Sequence, residues 1–127
     1  MKIMVVDDCK TTRKLLGHYL KSRGYQVVFA ENGLDAMEKL GRESVNMIMT
    51  DMNMPYMDGM ELIKTLRSDS TWSEIPILMV TTENDGMEKE RALELGANGY
   101  IVKPVSGEVI AHNIKLILKQ MFSKEVS

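Results

Sequence analysis

The sequence predicts an α/β protein, doubly wound, in which a parallel sheet is covered by helices on both faces. Three observations carry this. Short apolar segments alternate five times with segments of helical periodicity. The apolar segments run continuously rather than alternating with polar residues, so both of their faces are buried. The connections between them are short, as βαβ units require.

Residues 2–7 form the first strand, an apolar run that stops at two carboxylates, Asp7 and Asp8. Residues 9–23 follow with Leu15, Leu16, Tyr19 and Leu20 at helical spacing, and Gly24 ends that helix. Residues 25–30, with Val27, Val28 and Phe29, are the second strand. Asn32 is placed to cap a helix that carries Leu34, Met37 and Leu40 on one side, and Gly41 stops it. The third strand, residues 45–50, runs into Asp51 and a turn containing Pro55 and Asp58-Gly59. Residues 60–67 are helical through Leu62, Ile63 and Leu66, and residues 68–73 are a polar loop. Residues 75–80 are the fourth strand, where Pro76 is tolerable only because it sits near the start, and Thr81 follows directly. A charged helix over 85–95 has a thin apolar side of Met87, Ala92 and Leu95, and Gly96 caps it. Residues 98–102 are a short fifth strand broken by Lys103-Pro104. The last helix, 106–122, carries Val109, Ile110, Ile114, Ile117 and Met121 on one stripe, and residues 123–127 are expected to fray.

The 127 residues suit one domain with a core large enough to need no disulfide or structural metal. The formal charge of −2 comes from 16 basic and 18 acidic residues that are well mixed, which gives no electrostatic footprint for nucleic acid or a membrane surface. One cysteine, Cys9, excludes an internal disulfide framework and fits a reducing compartment. With no signal-peptide core and no membrane-length apolar run, the expected location is the cytoplasm. The 12 methionines are scattered over strands and helices as gap-filling side chains. Cys9 is expected to pack, its thiol pKa raised by the neighbouring acids.

Connectivity alone leaves the strand order open. The flavodoxin-like order 2-1-3-4-5 is one of two common solutions, and its switch point falls between the first and third strands, where ligands bind at the carboxyl ends. That order gathers Asp7, Asp8 and Asp51 around one crevice. Three carboxylates repel unless a cation sits among them, and an all-oxygen donor set suits a hard ion such as Mg²⁺. Thr81 and Lys103 end the fourth and fifth strands on the same rim and add a hydroxyl and an ammonium that can reach phosphate oxygens. Metal, lysine and hydroxyl together describe a phosphoryl site, and an Asp carboxylate is a competent nucleophile there. Asp51, at the centre, is the candidate. An EF-hand reading of Asp51-x-Asn53 fails, because Pro55 and Tyr56 stand where a ligand and a glycine belong and Leu62 replaces the bidentate Glu. His18 and His112 have no spaced ligand partners.

Val5-Val6-Asp7-Asp8, the stretch from Asp51 to Gly59, Leu78 to Glu83, and Gly96 to Pro104 resemble the receiver domains of bacterial response regulators, and among them the single-domain CheY type. The likeness spans about residues 2–122, in the family's order and spacing. It implies one receiver domain over 1–127 with no output domain, a phosphoacceptor with intrinsic autophosphorylation and autodephosphorylation rather than a turnover enzyme. By the same resemblance, Asp51 accepts a phosphoryl group from a histidine kinase's phosphohistidine. Asp8, Asp51 and the backbone carbonyl of Asn53 hold Mg²⁺, Asp7 holds a metal-bound water, and Lys103 pairs with the phosphoryl group. Thr81 moves inward and Tyr100 swings into the vacated space, which changes the face of the fourth helix, fifth strand and fifth helix for a target protein. Lys103-Pro104 is expected to be cis.

Two places depart from the CheY pattern: Met52 and Cys9 stand where aromatics are common. The helix that begins Asp85-Gly-Met-Glu-Lys-Glu-Arg91 also differs from the basic and apolar surface that flagellar-motor partners use. By the resemblance, Asn53 and Glu83, two residues after Asp51 and Thr81, flank the path of a water attacking the phospho-aspartate, and a short phosphoryl lifetime is expected. The alternative job is a relay carrier that hands the group to a histidine phosphotransfer protein. A rival reading, a phosphatase of the haloacid dehalogenase type, is disfavoured by Asn53, which cannot protonate a leaving group as the second Asp of such enzymes does.

Overall fold

The structure is a computed structural model that describes residues 1–126, with side chains through residue 123. Its elements are β1 (Lys2–Val6), α1 (Lys10–Ser22), β2 (Gln26–Ala30), α2 (Gly33–Leu40), β3 (Met47–Thr50), α3 (Gly59–Arg67), β4 (Ile77–Thr81), α4 (Gly86–Leu95), β5 (Gly99–Val102) and α5 (Gly107–Val126). The five strands lie in the order β2-β1-β3-β4-β5, and every neighbouring pair is parallel. This is the flavodoxin-like arrangement expected. In register, Val6 stands opposite both Ala30 and Thr50, and Thr81 opposite Val102, so the carboxyl ends of the strands form one rim.

The strand period of two divides the core into two layers. Ile3, Val5, Met47, Met49, Leu78 and Val80 face α1 and α5, where Leu16, Leu20, Ile110, Ile114 and Ile117 cover them. Met4, Val6, Ile48, Ile77 and Met79 face the opposite way, against Ala36 and Leu40 of α2, Leu62, Ile63 and Leu66 of α3, and Ala92 of α4. Continuous apolar strands are what a sheet buried on both sides needs.

The helical stripes are narrower than the sequence suggested. Leu15, Leu34, Met87 and Val109 are exposed. In α1 the buried line is Leu16, Gly17 and Leu20, and in α2 it is Gly33, Ala36 and Leu40, so a leucine one residue off either line falls outside it. Helix α5 continues to Val126 where fraying from residue 123 was expected. No Gly or Pro after Gly107 stops it, and Ser127 lies outside the described residues. Lys103-Pro104 is cis, as the resemblance implied.

Helix α3 is anchored at both ends. Asp58 caps it by accepting from the Glu61 amide at 2.9 Å. The Gly59 amide donates to the Met52 carbonyl at 2.8 Å, and a Cβ on Gly59 would stand 2.2 Å from the Asp51 carbonyl oxygen. At the other end the Arg67 guanidinium donates to the carbonyls of Gly96, Trp72 and Ser73 and to Asn98 Oδ1. Those bonds tie the end of α3 to the turn that leads into β5.

Gly59→Ala decides between two opposed effects. Alanine favours a helix over glycine by about 1 kcal/mol, but here its methyl meets backbone that cannot yield, and overpacking of this kind costs about 1–3 kcal/mol. The expected outcome is net destabilisation of about 2 kcal/mol by urea unfolding, with an unchanged m-value. A stabilised variant contradicts the close approach.

Candidate functional site

Adjacent parallel strands bring distant residues together at the rim. The Asp51 amide donates to the Val6 carbonyl at 2.9 Å and the Asp7 amide to the Ala30 carbonyl at 3.0 Å, which fixes where β1 and β3 release their chains. Asp7 is 1% exposed and Asp51 9%, whereas Asp8 is exposed. One carboxylate oxygen from each of the three lies within 4.8 Å of the others. The sequence-predicted cluster is therefore assembled.

Lys103 reaches into the same crevice. Its Nζ lies 2.8 Å from Asp7 Oδ2 and 3.7 Å from Asp51 Oδ2. Asp7 Oδ1 accepts from the Cys9 amide at 2.9 Å, and Asp51 Oδ1 from the Met52 amide at 2.8 Å. Burial pushes the Asp51 carboxyl above its ordinary pKa; the Lys103 charge opposes this, the Asp7 charge adds to it, and bonds from the Thr81 hydroxyl and the Met52 amide again favour the carboxylate. Asp51 is thus a desolvated anion held against its own repulsion.

Three carboxylates face one ammonium, so a divalent cation balances the crevice, and carboxylate oxygens are the donors a hard ion takes. Asn53 sits exposed on the loop after Asp51, and its carbonyl accepts no hydrogen bond among the described residues. The donor set fits Mg²⁺.

Thr81 is fully buried at the end of β4, and its Oγ1 accepts from the Glu83 amide at 3.3 Å. Thr82 beside it is exposed and faces away from this role. Tyr100, half-buried on β5, donates from its hydroxyl to the Glu83 carbonyl at 2.7 Å. Burial first, and then the charges of Glu83, Glu88, Asp85 and Asp51, push its phenol above the usual range. The backbone of Glu83 therefore holds both side chains, a link that spacing in the sequence did not signal.

Two further points differ from the reading of the sequence. Cys9 is exposed at the N-cap of α1 rather than packed, and its thiol is pushed down, chiefly by hydrogen bonds from the Thr12 hydroxyl and amide that outweigh burial and the Asp7 charge. Arg13 reaches back one helical turn and donates to the Asp7 carbonyl at 2.6 Å, steadying the loop that carries the acidic pair.

A raised carboxyl pKa means that the native state holds its proton more tightly than the unfolded chain. Native stability without metal then falls as pH rises from the unfolded carboxylate pKa through the raised one, and stays lower above it. Asp51→Asn should accordingly raise the thermal midpoint at neutral pH in EDTA, with the gain shrinking as the pH is lowered into that window. A variant less stable than the parent at pH 7 contradicts the desolvated-anion geometry.

The response regulator receiver domain family matches residues 3–115. Chemotaxis protein CheY1 of Helicobacter pylori is 43% identical over 120 residues, covering 93% of this chain and 97% of the relative. A CheY homologue of Campylobacter jejuni is 40% identical, covering 93% and 92%. The solved structure of the chemotaxis response regulator CheY4 of Vibrio cholerae is similar with a TM-score of 0.85 at 34% identity, over 91% of this chain and 97% of that one. Receivers of this kind accept phosphoryl groups rather than turning over substrates, bind Mg²⁺ at an acidic pocket, and work with histidine kinases and downstream targets. Among the described residues no helix is long and apolar enough to cross a membrane. With matching sequence, strand order and acidic rim, the chain belongs to the response regulator receiver family of two-component signalling and is CheY-like.

Proposed function

We propose that residues 1–127 act as one receiver domain that takes a phosphoryl group from a kinase phosphohistidine onto Asp51 and thereby changes its affinity for a target protein. The observation that carries this reading is the placement of a buried carboxylate, Asp51, between one ammonium at 3.7 Å and two further carboxylates at the sheet's rim.

In this reading an Asp51 carboxylate oxygen attacks phosphorus, the phosphorus–nitrogen bond of the donor breaks, and its electron pair stays with the imidazole, which leaves neutral after taking up a proton. Catalysis is positioning and charge neutralisation, since the transition state is loose and its charge lies on equatorial oxygens. Asp8, Asp51 and the Asn53 carbonyl would hold Mg²⁺, with Asp7 behind them, and a bound Mg²⁺ supplies charge neutralisation to the phosphoryl oxygens. Lys103 gives up part of its contact with Asp7 to pair with the phosphoryl group. The Thr81 hydroxyl, now held by the Glu83 amide, turns to a phosphoryl oxygen, and Tyr100 follows on β5.

The output surface in this reading is α4, β5 and α5. It carries exposed Met87, Val102, Val109 and Leu116, apolar enough to dock a partner once the rim changes state. The phosphoryl group acts by differential contacts that bias a two-state equilibrium. Chemotaxis proteins among the relatives make a chemotactic target the working assumption.

Incubation with acetyl phosphate and Mg²⁺ should add the mass of one phosphoryl group, and neither Asp51→Asn nor EDTA-treated protein should gain it. No gain by folded wild type, or a gain by the variant, overturns the assignment. Asn53 and Glu83 beside the hydrolytic path favour a short-lived phospho-aspartate, so radiolabelled phosphate should be lost within minutes of kinase removal; persistence over hours contradicts this. Efficient transfer to a histidine phosphotransfer protein would mark a relay carrier instead of a target-binding switch.

A further inference from the structure

Helix α1 carries a second feature, outside the acidic crevice. Lys10, Lys14, Gly17 and Lys21 are spaced i, i+4, i+7 and i+11 and therefore share one side of the helix. Gly17 leaves a gap in that line, and the Phe29 ring of β2 fills it: a Cβ on Gly17 would stand 2.5 Å from Phe29 Cζ. The Lys21 ammonium sits 5.5 Å from the same ring's centroid, a cation–π distance. A mid-helix glycine costs about as much as its replacement by alanine would gain, and here it admits an aromatic ring to the flank of a basic helix.

Beside the ring, Lys10, Arg13, Lys14 and Phe29 line a recess of about 260 Å³. Arg13 is set in place by its bond to the Asp7 carbonyl, with its side chain 14% exposed. Arg13 pairs with Glu31 at 3.9 Å, but that carboxylate is 72% exposed and screened by solvent, so it offsets the charge of the recess only in part. Lys10 and Lys14 make no hydrogen bond or ion pair among the described residues. In a chain of net charge −2, three cations converge on one hollow with an aromatic wall. An anion meets them favourably, and the wall offers a stacking surface that inorganic phosphate cannot use.

We propose that this recess is an accessory site for a nucleoside polyphosphate, with the phosphates on Lys10, Arg13 and Lys14 and the base against Phe29. The volume is small for a whole nucleotide, so the ribose remains at the mouth in solvent. This site lies outside the acidic crevice and is independent of the role given to Asp51.

The full-length chain is titrated with ATP by calorimetry and by amide chemical shifts, in EDTA, where the carboxylate crevice holds no cation that could attract phosphates. Inorganic tripolyphosphate and a deca-glutamate peptide are the comparison probes. The expected result is saturable ATP binding with shifts confined to α1, β2 and the Asp7–Cys9 loop. Lys10→Glu with Lys14→Glu, both exposed, should weaken it at least about tenfold, as loss of charge-assisted contacts does. Asp51→Asn should leave it unchanged. Stacking on an aromatic ring is worth roughly 5- to 150-fold, so tripolyphosphate should bind more weakly than ATP by at least the lower figure. Phe29→Leu, checked for folding by circular dichroism, should erase that difference, and the tripolyphosphate comparison stands if the variant does not fold. Absence of saturable binding, indifference to the double charge reversal, or equal affinity for tripolyphosphate each overturns the nucleotide site. Tighter binding of deca-glutamate than of ATP overturns it in favour of an acidic protein segment.

Discussion

The constraint on which the rest of the molecule depends is the repulsion among Asp7, Asp8 and Asp51, answered within the protein by one ammonium. Lys103 lies 2.8 Å from Asp7 and 3.7 Å from Asp51, and at an effective dielectric near 20 a unit pair at the latter distance is attracted by about 4 kcal/mol before desolvation. Burying an ion costs several kcal/mol. One lysine can hold one buried aspartate comfortably and a second only in part, which agrees with a carboxyl pKa that is raised at Asp51 despite the neighbouring cation. The crevice is built with an excess of negative charge, which is what a divalent cation needs from its site, and the anionic phosphoryl group of the proposed reading would depend on that cation and on Lys103.

Holding such a cluster requires backbone that does not relax. The sheet order provides it, because placing β3 beside β1 lets the Val6 carbonyl receive the Asp51 amide and sets the two strand ends level. Helix α3 then starts in contact with the Asp51 carbonyl, where only a glycine fits. The same helix ends at Arg67, whose guanidinium is desolvated enough for its pKa to be lowered yet donates five hydrogen bonds to four acceptors, in the loop at residues 72–73 and the turn at residues 96–98. A half-buried ion whose hydrogen bonds all go to neutral acceptors, with the Glu74 charge acting beside it, tolerates little movement, since losing one bond leaves a donor unpaired. The path from Asp51 through α3 to the start of β5 is therefore held at both ends, which leaves the loop after β4 as the part of the rim free of it.

Much of this was legible in the chain because strand ends are where apolar runs stop. Asp7, Asp51, Thr81 and Lys103 each terminate such a run, so their shared rim followed from the fold class, whereas connectivity left the strand order open between two common solutions, of which 2-1-3-4-5 is the one observed. What periodicity could not resolve was rotation of a helix by one residue: Leu15, Leu34 and Val109 sit beside their stripes and are exposed, while Leu16, Ala36 and Ile110 are buried. Local hydrogen bonding was equally invisible. The acids beside Cys9 suggested a raised thiol pKa, yet the Thr12 hydroxyl and amide, one turn on in α1, push it down. Nothing in the spacing signalled the reach of Arg13 back to the Asp7 carbonyl.

The bonds at Glu83 bear on how a phosphoryl group could act at a distance. Its amide donates to Thr81 Oγ1 at 3.3 Å, a long bond, while its carbonyl accepts from the Tyr100 hydroxyl at 2.7 Å, a short one. A phosphoryl oxygen accepts from the Thr81 hydroxyl while the Glu83 amide donates to it, so the two use different sides of the same oxygen; where the side chain turns, the bond given up is the longer of the two, and in the proposed reading that costs less than the net worth of an ordinary hydrogen bond, about 1 kcal/mol. Tyr100 does not need to find a new partner to respond. It is already fastened to the same residue, and any shift of the Glu83 backbone that follows Thr81 carries the tyrosine with it. The cost of switching then lies in repacking the tyrosine ring against the α4 side of the core rather than in making or breaking polar contacts, which places the energetic threshold in the ring's partly buried surroundings.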